Sequence, residues 1–389
     1  MNERTLTLNL GPQHPSTHGV LRVILELDGE TVVDARPDIG FLHRGIEKLA
    51  ESRTWHQCIV LTDRIDYLAA MSNNLAYVTA VEKLMGLDVP RRAQYVRVAL
   101  AELQRIASHL FWLGTHAHDL GAMTPLFYAL REREVIMDIF ESLAGSRLMP
   151  SFLRIGGLAA DIDGGFVKSV LDFTESFPRR VDEYESLLTD NPIWKLRTRG
   201  VGVLDGENCL RLGISGPMLR GTGVGWDIRK SHPYSCYEDF QFEIPVGTEG
   251  DVYDRYLVRV REMRESARIA RQAVEGLPAG AWVTDDPAAV FPPREHLKNN
   301  VAAMIRHFGL VMEGMTPPAG EVYHAIESPR GELGFYLVSD GGPKPLRFKV
   351  RPPSFVNLQG LVKMIRGRLL ADVMAVIGAL DIVLAEVDR

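Results

Sequence analysis

Leu6, Leu8 and Leu10 alternate with polar residues, and Leu21, Val23, Leu25 and Leu27 repeat the alternation. A period of two turns one face of an extended strand towards a core. Asp28-Gly29 supplies a tight turn, and the run from 31 to 35 completes a hairpin. Between the first two strands lies Gly11-Pro12-Gln13-His14-Pro15-Ser16-Thr17-His18-Gly19, whose two prolines and two glycines exclude a helix or a regular ladder.

From about 45 to 145 the period becomes helical. Leu68, Met71, Leu75, Val78 and Val81 recur at three- and four-residue steps until Gly86 and Pro90. Ala99, Leu103, Ile106, Leu110, Leu113, Ala117 and Leu120 do the same until Gly121 and Pro125. A third helix is predicted over about 126–143 and a shorter one over 46–61, with Asp63 to Tyr67 opening the next. These make an antiparallel bundle core. Beyond Gly156-Gly157 a helix is predicted at 166–188, then a glycine-rich irregular stretch at 200–247. Helices follow at 252–275 and 294–308. Strands at 321–326, 332–339 and 346–350 form a meander ahead of a helical C-terminus. The fold class is α+β, a mainly helical bundle with small antiparallel sheets at both ends. Residues 1–40 read as a hairpin region carrying the 11–19 loop, and 41–389 as the helical core with its meander at 320–350.

Composition narrows the function. With 46% hydrophobic and 24% charged residues among 389, the chain is an ordinary globular protein. A net charge of −6 offers no basic excess to offset phosphate repulsion, which argues against nucleic acid as a partner. The start, MNERTLTLNL, lacks the apolar run of a signal peptide. The stretch 369–387 approaches membrane-spanning length but carries Asp372, Asp381 and Glu386, which are costly in lipid, so it reads as a buried helix. Membrane association would then come through partners. Cys58, Cys209 and Cys236 are odd in number and widely spaced, which speaks against a disulfide framework and against an iron–sulfur ligand set within this chain.

Several constellations carry chemistry. His14 and His18 have the spacing of a helical zinc pair, but Pro15 prevents that helix; on a loop the two imidazoles can instead donate to a ligand carbonyl or serve structure alone. His116-x-His118-Asp119 sits at a helix end, where histidines are favoured by the dipole and Asp119 requires a histidine or arginine partner. Asp63 and Asp66 fit first-turn acids, and Arg131-Glu132-Arg133-Glu134 fits a solvated, salt-bridged face. The glycines from Arg220 to Gly225 do not make a dinucleotide fingerprint.

Nine motifs in series go further: GPQHPSTHG (11–19), FLHRGIEK (41–48), DRIDYL (63–68), ELQRIASHL (102–110), DLGAMTP (119–125), REREVIMDIFE (131–141), RIGG (154–157), SPRGELGFYLVSDG (328–341) and RPPSFVNLQ (351–359). In order and over nearly the whole chain, they resemble the 49 kDa, D-type subunit of NADH–quinone oxidoreductase, respiratory complex I, without the C-type subunit fused in front. That family is related to the nickel–iron hydrogenase large subunit. Asp66, Ala69, Val383 and Glu386 stand where the hydrogenase has four cysteines, so the soft ligands of its metal are gone and no metal is expected.

The resemblance implies that the old metal cavity takes a quinone head-group. His18 and Tyr67 would hydrogen-bond its carbonyls, with Asp119 paired to His18, and His14 and Met71 as further lining. Arg44 and Arg64 match arginines near a 4Fe–4S cluster in the adjoining B-type subunit, and Arg330 would face the same cavity. Met149 stands where the family commonly has a histidine near that cluster. No cofactor would be held by this chain. Partners would be the B-, C-, I- and H-type subunits, at the cytoplasmic face of the cell membrane, in a proton-translocating complex in which this chain is not active alone. A ferredoxin- or F420-linked quinone-reducing complex is the alternative. A metallohydrolase using His116, His118 and Asp119 is the reading from a different class.

Overall fold

The computed structural model describes residues 5–389; residues 1–4, on which part of the signal-peptide reading falls, lie outside the described residues. Strands Leu6–Leu10, Arg22–Asp28 and Thr31–Asp38 form an antiparallel sheet in that order, with Leu8 opposite Leu25 and Leu25 opposite Ala35. The alternation reads as expected, since Leu21, Val23, Leu25 and Leu27 are all buried. They share one hydrophobic cluster with Leu361, Ile365, Val373 and Val376 near the C-terminus. Val32 also donates its N–H to the Arg368 carbonyl at 2.8 Å, so the two ends of the chain close on each other. Gly11 turns the chain out of the first strand at φ +80°, where a Cβ would sit 2.2 Å from the Leu21 carbonyl oxygen. Only glycine fits there.

Helices Ala70–Met85, Arg91–Asp119 and Thr124–Ala144 follow the predicted periods, and left-handed Gly86 and Gly145 end the first and third. The middle one has 29 residues, a rod about 44 Å long at 1.5 Å per residue. Helix Val252–Glu275 lies along it. Charge, as well as apolar packing, fills the seam between them. Glu102 accepts from Tyr237 Oη (2.7 Å), Ser266 Oγ (2.6 Å) and Arg229 Nη1 (3.1 Å), while His109 Nε2 lies 2.9 Å from Glu262. Glu102 and Glu262 thus each have a partner there, the condition under which burial of a charge is tolerated. Strands Gly320–Ser328, Gly331–Ser339 and Arg347–Arg351 make the meander, whose Phe335 and Phe348 pack on Tyr77 at 5.8 and 5.6 Å.

The structure departs from expectation where local chemistry cuts a period. The 46–61 helix is two, Ile46–Ala50 and Trp55–Thr62, because Thr54 begins a new capping box with Gln57. The 294–308 helix divides into the 3-10 turn Arg294–Lys298 and helix Val301–Met312, with Asn300 capping the second. The stretch 200–247 contains short helices at Gly206–Arg211, Pro217–Arg220 and Ile228–Ser231. Asp63 and Asp66 do not open a helix. Both are buried in the turn before Ala70, so the first-turn reading fails for them. The Arg131–Glu134 run is only half solvated: Glu132 and Arg133 are buried, and Tyr184 donates to Glu132 at 2.7 Å. The apolar stretch 369–387 is helix Leu370–Leu380 and helix Leu384–Asp388, broken at Asp381, which adopts a left-handed φ of 53°.

Candidate functional site

That break, the 63–69 turn, the C-terminal end of the Arg91–Asp119 helix, the histidine loop and the tip of the meander converge on one cavity of about 130 Å³. His18, Tyr67, Asp119, Arg330 and Asp381 contribute polar groups to its lining. Leu42, Leu68, Phe111, Ile382, Val383 and Leu384 supply apolar wall. Several of these residues meet in a small hydrophobic cluster of their own, formed by Leu68, Val383 and Ala385 with Leu42 and Phe111 packed on it.

His18 is placed by its loop. Pro15–Thr17 form a single 3-10 turn capped at its start by His14, whose Nδ1 accepts the Ser16 N–H at 3.2 Å. His18 closes the turn in the left-handed region at φ 54°, a strained conformation for a non-glycine residue that presents its ring to the cavity. Burial depresses its pKa, Asp381 opposes that and Arg330 adds to it. The ring is therefore neutral at pH 7, with one N–H to donate.

Tyr67 lies at the mouth, 36% exposed. Burial and the nearby Asp66 charge push its phenol above the ordinary value, so it stays a donor at physiological pH. Asp119 is also raised, by burial first, against the opposing pull of His118, His14 and the Ser16 hydroxyl. His118 and His14 lie within electrostatic reach of Asp119, but no histidine or arginine among the described residues forms an ion pair with it. Among the described residues no hydrogen bond or ion pair joins His18 to Asp119, although both line the cavity.

Two expected lining residues lie elsewhere. Met71 is fully buried in the main core, because its helical period turns it towards the neighbouring helices. His14 is held by its capping bond and stands outside the lining. The H-x-H pair separates as two-residue spacing on a helix requires: His118 is exposed, whereas His116 is buried on the cavity wall. His116 stacks on Trp112 at 5.2 Å and lies edge-on to Trp194 at 5.4 Å. Burial, then Arg259, drives its pKa down to about 3, so it is neutral and the dipole-capping reading fails for it.

Arg330 forms the floor. Its guanidinium pairs with Asp66, donates Nε to the Asp381 carbonyl at 2.7 Å and lies 3.2 Å from the Asp381 carboxylate. Asp66 pairs directly with this arginine, while Glu386 lies within its electrostatic reach. Arg44 and Arg64 are exposed neighbours; Arg44 donates to the Arg64 carbonyl at 2.8 Å and to the Ala385 carbonyl at 2.6 Å. Met149 is half-buried two residues from Ser151, whose hydroxyl donates to Asp63. The residues missed by sequence reasoning are Asp381 and Glu386. Their signal lay in the apolar stretch itself, since acids placed there need a buried cation.

The three thiols are free. All are buried, which raises Cys58 and Cys236 to about 12 and Cys209 to about 11. No helix among the described residues is long and apolar enough to cross a membrane.

The family profile for the respiratory-chain NADH dehydrogenase 49 kDa subunit matches residues 119–389. The chain is 56% identical to the D-type NADH-quinone oxidoreductase subunit of Geotalea uraniireducens (strain Rf4) over 384 residues, 99% of this chain and 98% of the relative. It is 55% identical to the corresponding subunit of Trichlorobacter lovleyi over 388 residues, the full length of both. It is 57% identical to the second D-type subunit of Roseiflexus sp. (strain RS-1) over 390 residues, covering all of this chain and 94% of the relative.

Proposed function

The chain belongs to the 49 kDa, D-type subunit family of NADH-quinone oxidoreductase, and from that premise we propose that its cavity receives the head-group of a quinone. The convergence of His18, Tyr67, Asp119 and Arg330 on one apolar-walled cavity carries this reading. A quinone ring is flat, apolar on its faces and polar only at two carbonyl oxygens. The walls suit the faces, while the neutral His18 ring and the Tyr67 phenol are donors suited to the carbonyls. Asp119 and Arg330 set the local field, and His118 and His14 partly offset the burial of the Asp119 carboxyl.

At about 130 Å³ the cavity is smaller than the ~300–1,000 Å³ of ordinary small-molecule sites. An adjoining subunit, the B-type, would complete it. That subunit would also hold the 4Fe–4S cluster that passes electrons to the quinone, since the thiols here are dispersed, buried and protonated. Arg44 and Arg64 would face it, and Met149 would lie beside it. Reduction of a quinone consumes two electrons and two protons, so donors that can be reprotonated are needed at the carbonyls. The chain is a subunit of a multi-subunit oxidoreductase. Its C-, I- and H-type partners would seat it on the cytoplasmic face of the membrane, in a proton-translocating complex.

In the assembled complex, Tyr67→Phe and His18→Ala should each lower quinone reduction by ~10²–10⁴-fold, the usual cost of losing a positioned proton donor. NADH oxidation by an artificial acceptor at the input end should survive in both. Near-normal quinone reduction in both variants would remove these residues from the site.

A further inference from the structure

Behind the cavity floor, three carboxyl groups surround one guanidinium. Asp66 pairs with Arg330 and also accepts the Leu68 N–H at 3.0 Å. Asp381 lies 3.2 Å from the same guanidinium. Glu386 is 1% exposed and within electrostatic reach of both Arg330 and Asp66, but makes no ion pair; its carboxyl accepts from Ser354 N at 3.1 Å. Arg259, from the Val252–Glu275 helix, approaches Asp381 Oδ2 no closer than 3.9 Å, and that oxygen has no hydrogen-bond partner although it is buried. Asp381 and Arg330 are also cavity lining, where His18 and Tyr67 face them. Arg44 lies near Tyr67 and donates to the Ala385 carbonyl beside Glu386 at 2.6 Å.

Asp66 and Asp381 already hold the Arg330 guanidinium, so ionising Glu386 beside them, out of water, is costly. The carboxyl without a cation of its own is the one that keeps its proton. We propose that Glu386 holds a proton at neutral pH in this cluster, and that the proton passes to the reduced quinone head-group by way of Asp381, which lines the cavity. The inference rests on the cavity being the quinone site. Burial, and then the Asp66 charge, raise Glu386 to about 8, in keeping with such a role.

The step balances. Two electrons reach the quinone from NADH through the complex, and each carbonyl oxygen forms one O–H bond. One proton comes from breaking the Glu386 O–H, which leaves a carboxylate. The other comes from the Tyr67 phenol. Both groups are reprotonated from water before the next turnover.

The test uses the assembled complex, with infrared difference spectra recorded on reduction in H₂O and D₂O. The unmodified complex should show a protonated-carboxyl band that shifts in D₂O, and Glu386→Gln should lose it. Quinone reduction should fall as pH rises through about 8, and that inflection should vanish in the variant along with most of the rate. Asp381→Asn should keep the band but slow quinone reduction. If Glu386→Gln fails to assemble, Glu386→Asp replaces it and should displace both band and inflection. A band and pH profile unaltered by either Glu386 variant would overturn the proposal. If the band is lost as expected while Tyr67→Phe and His18→Ala reduce quinone normally, the proton store stands and the cavity reading falls.

Discussion

Met149 is a thioether at a position where the resemblance places a histidine. A thioether takes up no proton, yet its apolar bulk fills the space an imidazole would occupy. A cluster beside it should therefore lose the coupling that a titrating neighbour provides. Strict one-electron, one-proton coupling moves a midpoint by ~59 mV per pH unit. The midpoint of the cluster proposed in the adjoining subunit should be nearly flat between about pH 6 and 8, where an unperturbed imidazole titrates, and Met149→His should restore a slope. Asp63 is the nearby acid to watch. Burial raises it to about 6, so it is already ionised across most of that window. Redox titration of the assembled complex at several pH values measures the slope directly; one near the full value in the unmodified protein would contradict the assignment. Among single residues, the sequence singled out His18, Tyr67, Asp119 and Arg330, and all four line the cavity. The carboxylate cluster was not legible in it. Arg330 meets Asp66 across 264 positions and Asp381 across 51, and no local pattern encodes such encounters.

Helices and strands were legible wherever a period ran uninterrupted, as in Arg91–Asp119 and Val252–Glu275. They were misread where one residue redirects the chain. Asp381 breaks an apolar helix by adopting a left-handed conformation that aspartate tolerates better than most residues. The break delivers its carboxylate to Arg330, a tertiary contact that overrides helical propensity. The same segment depends on close approach. In the Leu370–Leu380 helix, Gly378 leaves room for His116: a Cβ there would lie 2.2 Å from the imidazole Nδ1. Its carbonyl also accepts from Trp112 Nε1 at 2.7 Å. Gly378→Ala should therefore overpack the joint by ~1–3 kcal/mol. Hydrogen exchange in the assembled complex should quicken across 111–119 and 370–380, with quinone reduction impaired. Unchanged exchange in both segments would show that the two helices can part without cost.

Across the whole molecule, two hydrophobic clusters meet near the cavity. One joins the N-terminal sheet to the C-terminal helices, and the other joins the long helices to the meander. The cavity thus sits where the two ends of the chain return to the end of the Arg91–Asp119 helix. This closure explains why its polar residues are scattered from 18 to 381 in sequence. The proposed function stands or falls on a quinone head-group occupying this place. Photolabelling of the assembled complex with a short-chain photoreactive quinone reports that occupancy without relying on any variant. Label should enter this chain at 11–20, 63–71, 111–119 or 378–384, and an excess of unmodified quinone should prevent it. Label confined to other segments of this chain, or absent from it while electron transfer to quinone is blocked, would place the head-group elsewhere.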